Sequence, residues 1–155
     1  MIRLEKVSKI YRTRRGDVRA LDKVSLDIKE GEFLAVRGSS GSGKTTLLFS
    51  MGGMLHPTEG NVIVSKRNFY ETSKSQRAKF RAENIGFIFQ MFHLVPYLNT
   101  VENVLLAARV GTKCFGPEDA ISLLNRLKLS DRLYHRPSEL SAGKRQRTAM
   151  ARAML

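Results

Sequence analysis

The sequence predicts an α/β fold in which strands dominate the first ninety residues and helices the remainder. Three observations carry this. Apolar residues alternate with charged ones near the start, a short apolar run leads into a glycine-rich loop followed by helical spacing, and beyond Gln90 the apolar period and the capping residues are helical. A chain of 155 residues, 42% hydrophobic, supplies one core, so residues 1–155 read as a single domain. Within it, residues 1–90 form the β-rich core and residues 91–155 a helical subdomain.

Each element follows from its pattern. Ile2, Leu4 and Val7 alternate with charged residues, as do Val24, Leu26 and Ile28 before a turn at Glu30-Gly31. Phe33-Leu34-Ala35-Val36 is continuous and apolar, the pattern of a strand buried on both faces. After the glycine-rich loop, Leu47, Leu48, Met51 and Met54 recur at helical spacing, with Gly52-Gly53 at the expected C-terminus; both methionines read as core. Pro57-Thr58-Glu59-Gly60 is turn chemistry and residues 61–65 a strand. Lys66 to Arg81 reads as a surface helix and its loop, and Ile85 to Phe89 as a second buried strand. Thr100 is placed to cap a helix over Val101 to Val110. Pro117 opens one through Leu127, and Ser141 caps one over Ala142 to Leu155.

The net charge is +13, and twelve of the thirteen charges reside in Arg12 to Arg19, Lys66 to Arg81 and Lys144 to Arg152. Such patches are either solvated faces or sites for an anionic partner. The single cysteine, Cys114, excludes an internal disulfide and a cysteine-based metal site and reads as a buried thiol. His56, His93 and His135 have no metal-ligand spacing. The basic N-terminus lacks the apolar stretch of a secretion signal. Residues 84–101 carry no charge, yet Asn84, Gln90, His93, Pro96, Asn99 and Thr100 make them too polar to span a bilayer. Any membrane connection is therefore expected to come through a partner.

Gly38-Ser39-Ser40-Gly41-Ser42-Gly43-Lys44-Thr45 fits G-x-x-x-x-G-K-[ST], and it stands between an apolar run and a helix, the context that the motif requires. Glycines let the backbone wrap close to phosphates. Successive N–H groups and the helix N-terminus, including Thr46, present positive potential; Lys44 reaches the β- and γ-phosphates, and the Thr45 hydroxyl ligates Mg²⁺. The motif points to a nucleoside triphosphate.

With that loop in place, the sequence resembles the ATP-binding cassette (ABC) ATPases, and three further landmarks follow in that family's order. Tyr11, in Ser8-Lys9-Ile10-Tyr11, stands where the family has an aromatic stacked on adenine. Gln90, ending Ile85-Gly86-Phe87-Ile88-Phe89-Gln90, matches the glutamine that reaches Mg²⁺ and the attacking water. Leu140-Ser141-Ala142-Gly143-Lys144-Arg145-Gln146-Arg147, continuing to Ala153, resembles the signature segment, whose Ser141 and Gly143 would contact ATP held by another subunit. Ala142 and Lys144 depart from the family's usual Gly and Gln or Glu; the first adds a methyl where backbone approaches phosphate. The segments Gly52 to Gly60, Phe89 to Pro96 and Leu98 to Val104 resemble more closely the subfamily of lipoprotein release and macrolide export.

The resemblance implies a P-loop NTPase core with an N-terminal β subdomain and an inserted helical subdomain. It further implies ATP and Mg²⁺ as cofactors, a head-to-tail pair of ATP-binding subunits, and a transmembrane permease holding them at the inner face of the plasma membrane. No direct nucleic-acid contact is expected. Members of the family continue past the signature helix to a strand ending in Asp-Glu, and no apolar run here ends so. The chain is thus expected to be incomplete at its C-terminus and inactive as a hydrolase alone. The alternatives are a binding module that holds ATP without turnover and a soluble ABC ATPase working on nucleic acid.

Overall fold

The computed structural model describes residues 1–109 and 115–155, in two compact units, Met1–Arg77 and Ala78–Leu155. Cys114 lies outside the described residues, whereas the helix expected over Val101 to Val110 ends at Leu105 and gives way to a 3₁₀ turn, Ala107–Arg109.

The first unit is built on a long antiparallel hairpin, β1 (Ile2–Thr13) and β2 (Gly16–Ile28), paired Leu4 to Leu26 and Val7 to Val24. The hairpin closes at Arg14-Arg15, where the Thr13 hydroxyl donates to the Gly16 carbonyl at 2.7 Å. Helix α1 (Lys44–Met51) follows the glycine-rich loop, and β3 (Glu59–Val64) pairs with the other side of β1, giving the order β2-β1-β3-β4 with β4 (Arg67–Asn68) at the edge. Ser65 and Lys66, both at positive φ, connect β3 to β4 as a two-residue hairpin of the primed kind demands. Leu4, Val7, Leu21, Met51, Val62, Val64 and Phe69 are the buried apolar residues of this unit. The predicted alternation therefore holds for β1, while Val24, Leu26 and Ile28 on the outer strand β2 are only half-buried.

The C-terminus of α1 is closely fitted. An ideal Cβ on Gly53 would overlap the Phe69 ring, so the ring occupies space that only glycine leaves open. The Tyr70 hydroxyl lies 2.8 Å from the Ser50 carbonyl in the last turn of the helix and 2.5 Å from that of Leu55 beyond it. Because α1 ends at Gly52, the helical period stops there; Met51 is buried and Met54 is exposed, so Met54 is not the core residue expected.

The second unit begins within α2 (Lys74–Asn84) and contains α3 (Thr100–Leu105), α4 (Pro117–Arg126) and α5 (Ala142–Met154), joined by short 3₁₀ turns. Asn99, rather than Thr100, caps α3: its side chain accepts from the Glu102 N–H while Glu102 accepts from the Asn99 N–H. Val101, Val104, Ala120, Leu124, Leu129 and Ala151 form the core. Among them Asn103 is fully buried. Its Oδ1 accepts from the Val95 N–H at 2.7 Å, and its Nδ2 lies within 3.1 Å of the carbonyls of Val95, Leu98 and Asn99.

Two expected strands are not formed. Phe33 to Val36 and Ile85 to Phe89 are irregular, Phe33 is 93% exposed and Ile88 50%. A strand exists through its ladder, and no described strand pairs with either run. No helix among the described residues is long and apolar enough to cross a membrane.

Candidate functional site

The glycine-rich loop curls around the end of its own lysine. Lys44 Nζ donates to the carbonyls of Gly38 at 2.9 Å and Ser39 at 2.6 Å, with Ser42 Oγ at 3.4 Å. Gly38, Gly41 and Gly43 all have positive φ (156°, 78° and 88°), so the curl is built from conformations that side chains resist. At Gly43 close approach adds to this, because an ideal Cβ would run into the Ala20 carbonyl of β2. Gly43 is also the N-cap of α1, and having no side chain it leaves the first N–H groups of the helix uncapped. The loop thus gathers one ammonium, uncapped backbone donors and the positive end of a helix, with Ser39, Ser40, Ser42 and Thr45 exposed at its rim. That donor set fits a polyphosphate, and the exposed Thr45 hydroxyl beside it fits the oxygen ligand that a phosphate-bound Mg²⁺ takes.

Tyr11 belongs to the same unit. It pairs with Val18, two residues along β2 from the Ala20 that touches Gly43, and its ring is 39% exposed. Lys9 Nζ stands 5.4 Å from the ring centroid while donating to the His56 carbonyl at 2.8 Å. An exposed aromatic beside the strand that supports the loop is placed to take a planar base.

Gln90 and Ser141 belong to the second unit. Gln90 is exposed, in a turn directly after the irregular Ile85 to Phe89 run. Ser141 is the N-cap of α5 at φ −62° and ψ 160°, but its hydroxyl makes no capping bond, which leaves both the hydroxyl and the first N–H groups of the helix exposed. Ala142 and Gly143 beside it are exposed, and a Cβ on Gly143 would meet nothing within 4 Å. Lys144 is tied down by Asp131 at 3.3 Å, on the 3₁₀ turn Ser130–Arg132. His56 and His93 are exposed, and among the described residues no three metal-ligating side chains cluster.

Residues 21–155 match the family described as ABC transporter. The chain belongs to that family. Among curated ABC proteins it is 40% identical over 157 residues to the lipoprotein-releasing system ATP-binding protein LolD of Shewanella denitrificans, a match covering 100% of this chain and 67% of that one. It is 42% identical over 157 residues to the macrolide export ATP-binding/permease protein MacB of Burkholderia pseudomallei, again over 100% of this chain but 24% of that one. This ABC chain therefore spans about a quarter of the length of the macrolide exporters it matches and about two thirds of the lipoprotein-release proteins. Its fold superimposes on the dimeric structure of MJ0796, a bacterial ABC transporter cassette, with TM-score 0.91 and 37% identity, covering 99% of this chain and 69% of that one. The same cassette bound to ADP and Pi matches with TM-score 0.91 and 36% identity. The expected P-loop NTPase core of an ABC ATPase is the fold found, and the resemblance to the lipoprotein-release and macrolide-export proteins holds along the chain.

Sequence reading missed three residues on which this geometry rests. Ala20 shapes the loop through Gly43, Asn103 staples residues 95–99, and Arg152 donates to the carbonyls of Phe92 and His93. None had a legible signal: even Asn103 falls off the apolar face Val101, Val104, Leu105, where an amide reads as solvent-facing.

Proposed function

We propose that this chain is the ATP-binding part of an ABC transporter ATPase, coupling ATP binding and hydrolysis to a membrane permease. The observation that carries the reading is the curl of Gly38 to Thr45 around Lys44 at the uncapped start of α1. In this reading Tyr11 stacks on adenine, the backbone of residues 38–46 holds the phosphates, Lys44 neutralises the β- and γ-oxygens, and Thr45 and Gln90 serve Mg²⁺. Gln90 additionally orients water. Bound Mg²⁺ would offset charge on the phosphates during transfer. Ser141 and Gly143 offer their exposed donors to the nucleotide of a second ATP-binding subunit placed head to tail, a pairing supported by kinship with the MJ0796 cassette, whose structure is dimeric. Kinship with MacB, named an ATP-binding/permease protein of macrolide export, and with LolD, named an ATP-binding protein of a lipoprotein-releasing system, supports a permease partner. It would hold the subunit at the inner face of the plasma membrane.

The test is direct binding of MgATP by isothermal calorimetry. Lys44→Ala should weaken it at least about tenfold, since a charge-assisted phosphate contact contributes roughly 1.5–3 kcal/mol. Equal affinity in the two proteins would remove Lys44 from the phosphate site and the reading with it.

A further inference from the structure

Phe92 and His93 are adjacent, non-glycine, and left-handed at φ 58° and 46°. Such backbone persists only where its surroundings over-determine it, and it clusters at functional sites. The two residues directly follow Gln90-Met91. Their carbonyls are held from far along the chain: Arg152, in the last turn of α5, donates from Nη2 to Phe92 at 2.6 Å and from Nη1 to His93 at 2.7 Å. One planar guanidinium thus spans two successive carbonyls, a geometry that a lysine ammonium cannot reproduce. Burial draws the Arg152 pKa down, in keeping with a cation that has exchanged water for backbone oxygens.

The next residue of α5 grips the other end of the same segment. An ideal Cβ on Gly86 would run into the Ala153 carbonyl, so residue 86 lies directly against the end of that helix. Residues 86–93, with Gln90 between, are therefore hydrogen-bonded to one helix at one end and packed against its next residue at the other. That helix begins at Ser141 and is thirteen residues long, a rod of about 20 Å.

We infer that Arg152 is a positioning residue: it locks the Phe92-His93 turn to the end of the signature helix, so that Gln90 and Ser141 are carried by one body and set together. The inference rests on the proposed role of Gln90 at the nucleotide. A rigid link makes the water-orienting amide at one end of α5 respond to whatever engages the serine at the other, without a contact between them.

The test uses the full-length protein with its permease partner in membranes. Arg152→Ala and Arg152→Lys are compared with wild type for MgATP affinity, for kcat of ATP hydrolysis, and for amide hydrogen exchange over residues 90–95. The expected result is a kcat at least about tenfold lower in Arg152→Ala with affinity changed less than about twofold, faster exchange over residues 90–95, and a smaller change in both for Arg152→Lys. Adding Phe92→Gly and His93→Gly to Arg152→Lys should return kcat part of the way toward wild type, because glycine adopts the left-handed turn without strain. Exchange that is unchanged in both variants overturns the lock. Faster exchange with an unaltered kcat overturns the positioning role. If Arg152→Ala does not fold, Arg152→Lys with and without the glycines decides the same points. Turnover that survives Lys44→Ala would instead defeat the nucleotide reading, and the exchange result would still decide whether Arg152 holds the turn.

Discussion

Lys144 Nζ stands 3.3 Å from Asp131 Oδ2, joining the first turn of α5 to the 3₁₀ turn Ser130–Arg132. Lys144, one of the two departures from the signature pattern that the sequence resembles, therefore has a structural partner of its own. Partial desolvation pushes the Asp131 pKa up, but the hydrogen bond from Lys144 and the charges of Arg132 and Lys144 outweigh it, and the net shift is down. A carboxyl with a lowered folded pKa contributes stability that is present above its unfolded value, near pH 4, and is lost as pH falls through the lower folded value. Lys144→Gln should leave the unfolding midpoint almost unchanged at pH 7, because the pair is exposed, and should flatten the loss of stability below pH 4. Denaturant titrations at pH 7, 4 and 3 check this.

Asn103→Ala should destabilise the protein by about 2–4 kcal/mol, since it strands the Val95 N–H and buried carbonyls of the segment 95–99. Asn103→Leu should be no better, because shape without hydrogen bonds leaves the same groups unpaired. Urea unfolding monitored by circular dichroism gives the difference, and a cost under 0.5 kcal/mol, roughly the scatter of a neutral surface change, would contradict the stapling role.

Ser50→Ala should stabilise. The Ser50 hydroxyl is fully buried and has no hydrogen-bond partner among the described residues, so its removal abolishes a desolvation cost and improves helix propensity in α1. The expected gain is about 1 kcal/mol, seen as a higher urea midpoint at unchanged slope.

Two glycines with similar φ separate strain from crowding. A methyl added at Gly41, where φ is 78°, would meet nothing within 4 Å, whereas one added at Gly53, where φ is 69°, would be driven into the Phe69 ring. Gly41→Ala should cost about 1 kcal/mol and Gly53→Ala about 3 kcal/mol, the excess being overpacking. Equal losses in urea unfolding would mean that Phe69 yields freely.

Tyr11→Ala should weaken ATP roughly tenfold and inorganic triphosphate hardly at all, because stacking on a base is lost while the phosphate cradle stays.

What could be read in advance was chemistry with fixed spacing. Gly38, Gly43, Lys44 and Thr45 declare themselves because their order and spacing fit the loop motif G-x-x-x-x-G-K-[ST], and Pro117 and Ser141 mark helix starts through local rules. Phe33 to Val36 has a strand's composition, but composition supplies no ladder partner, and without one the run stays irregular. Arg152 was illegible for another reason. It reaches across about sixty residues to carbonyl groups, which every residue carries, so nothing in residues 92–93 announces the recipient.

The support of the glycine-rich loop also has an order in time. β1 and β2 are sequence neighbours closed by Arg14-Arg15, so their pairing incurs almost no loop-closure entropy, and both strands leave the ribosome before Lys44 is made. Ala20 is thus available as a template when Gly43 arrives. A two-strand ribbon is marginal in water, and the third strand, Glu59–Val64, joins β1 only after α1 has been synthesised. The glycine-rich loop is therefore made, during synthesis, after the strand that supports it and before the strand that completes the sheet behind that support.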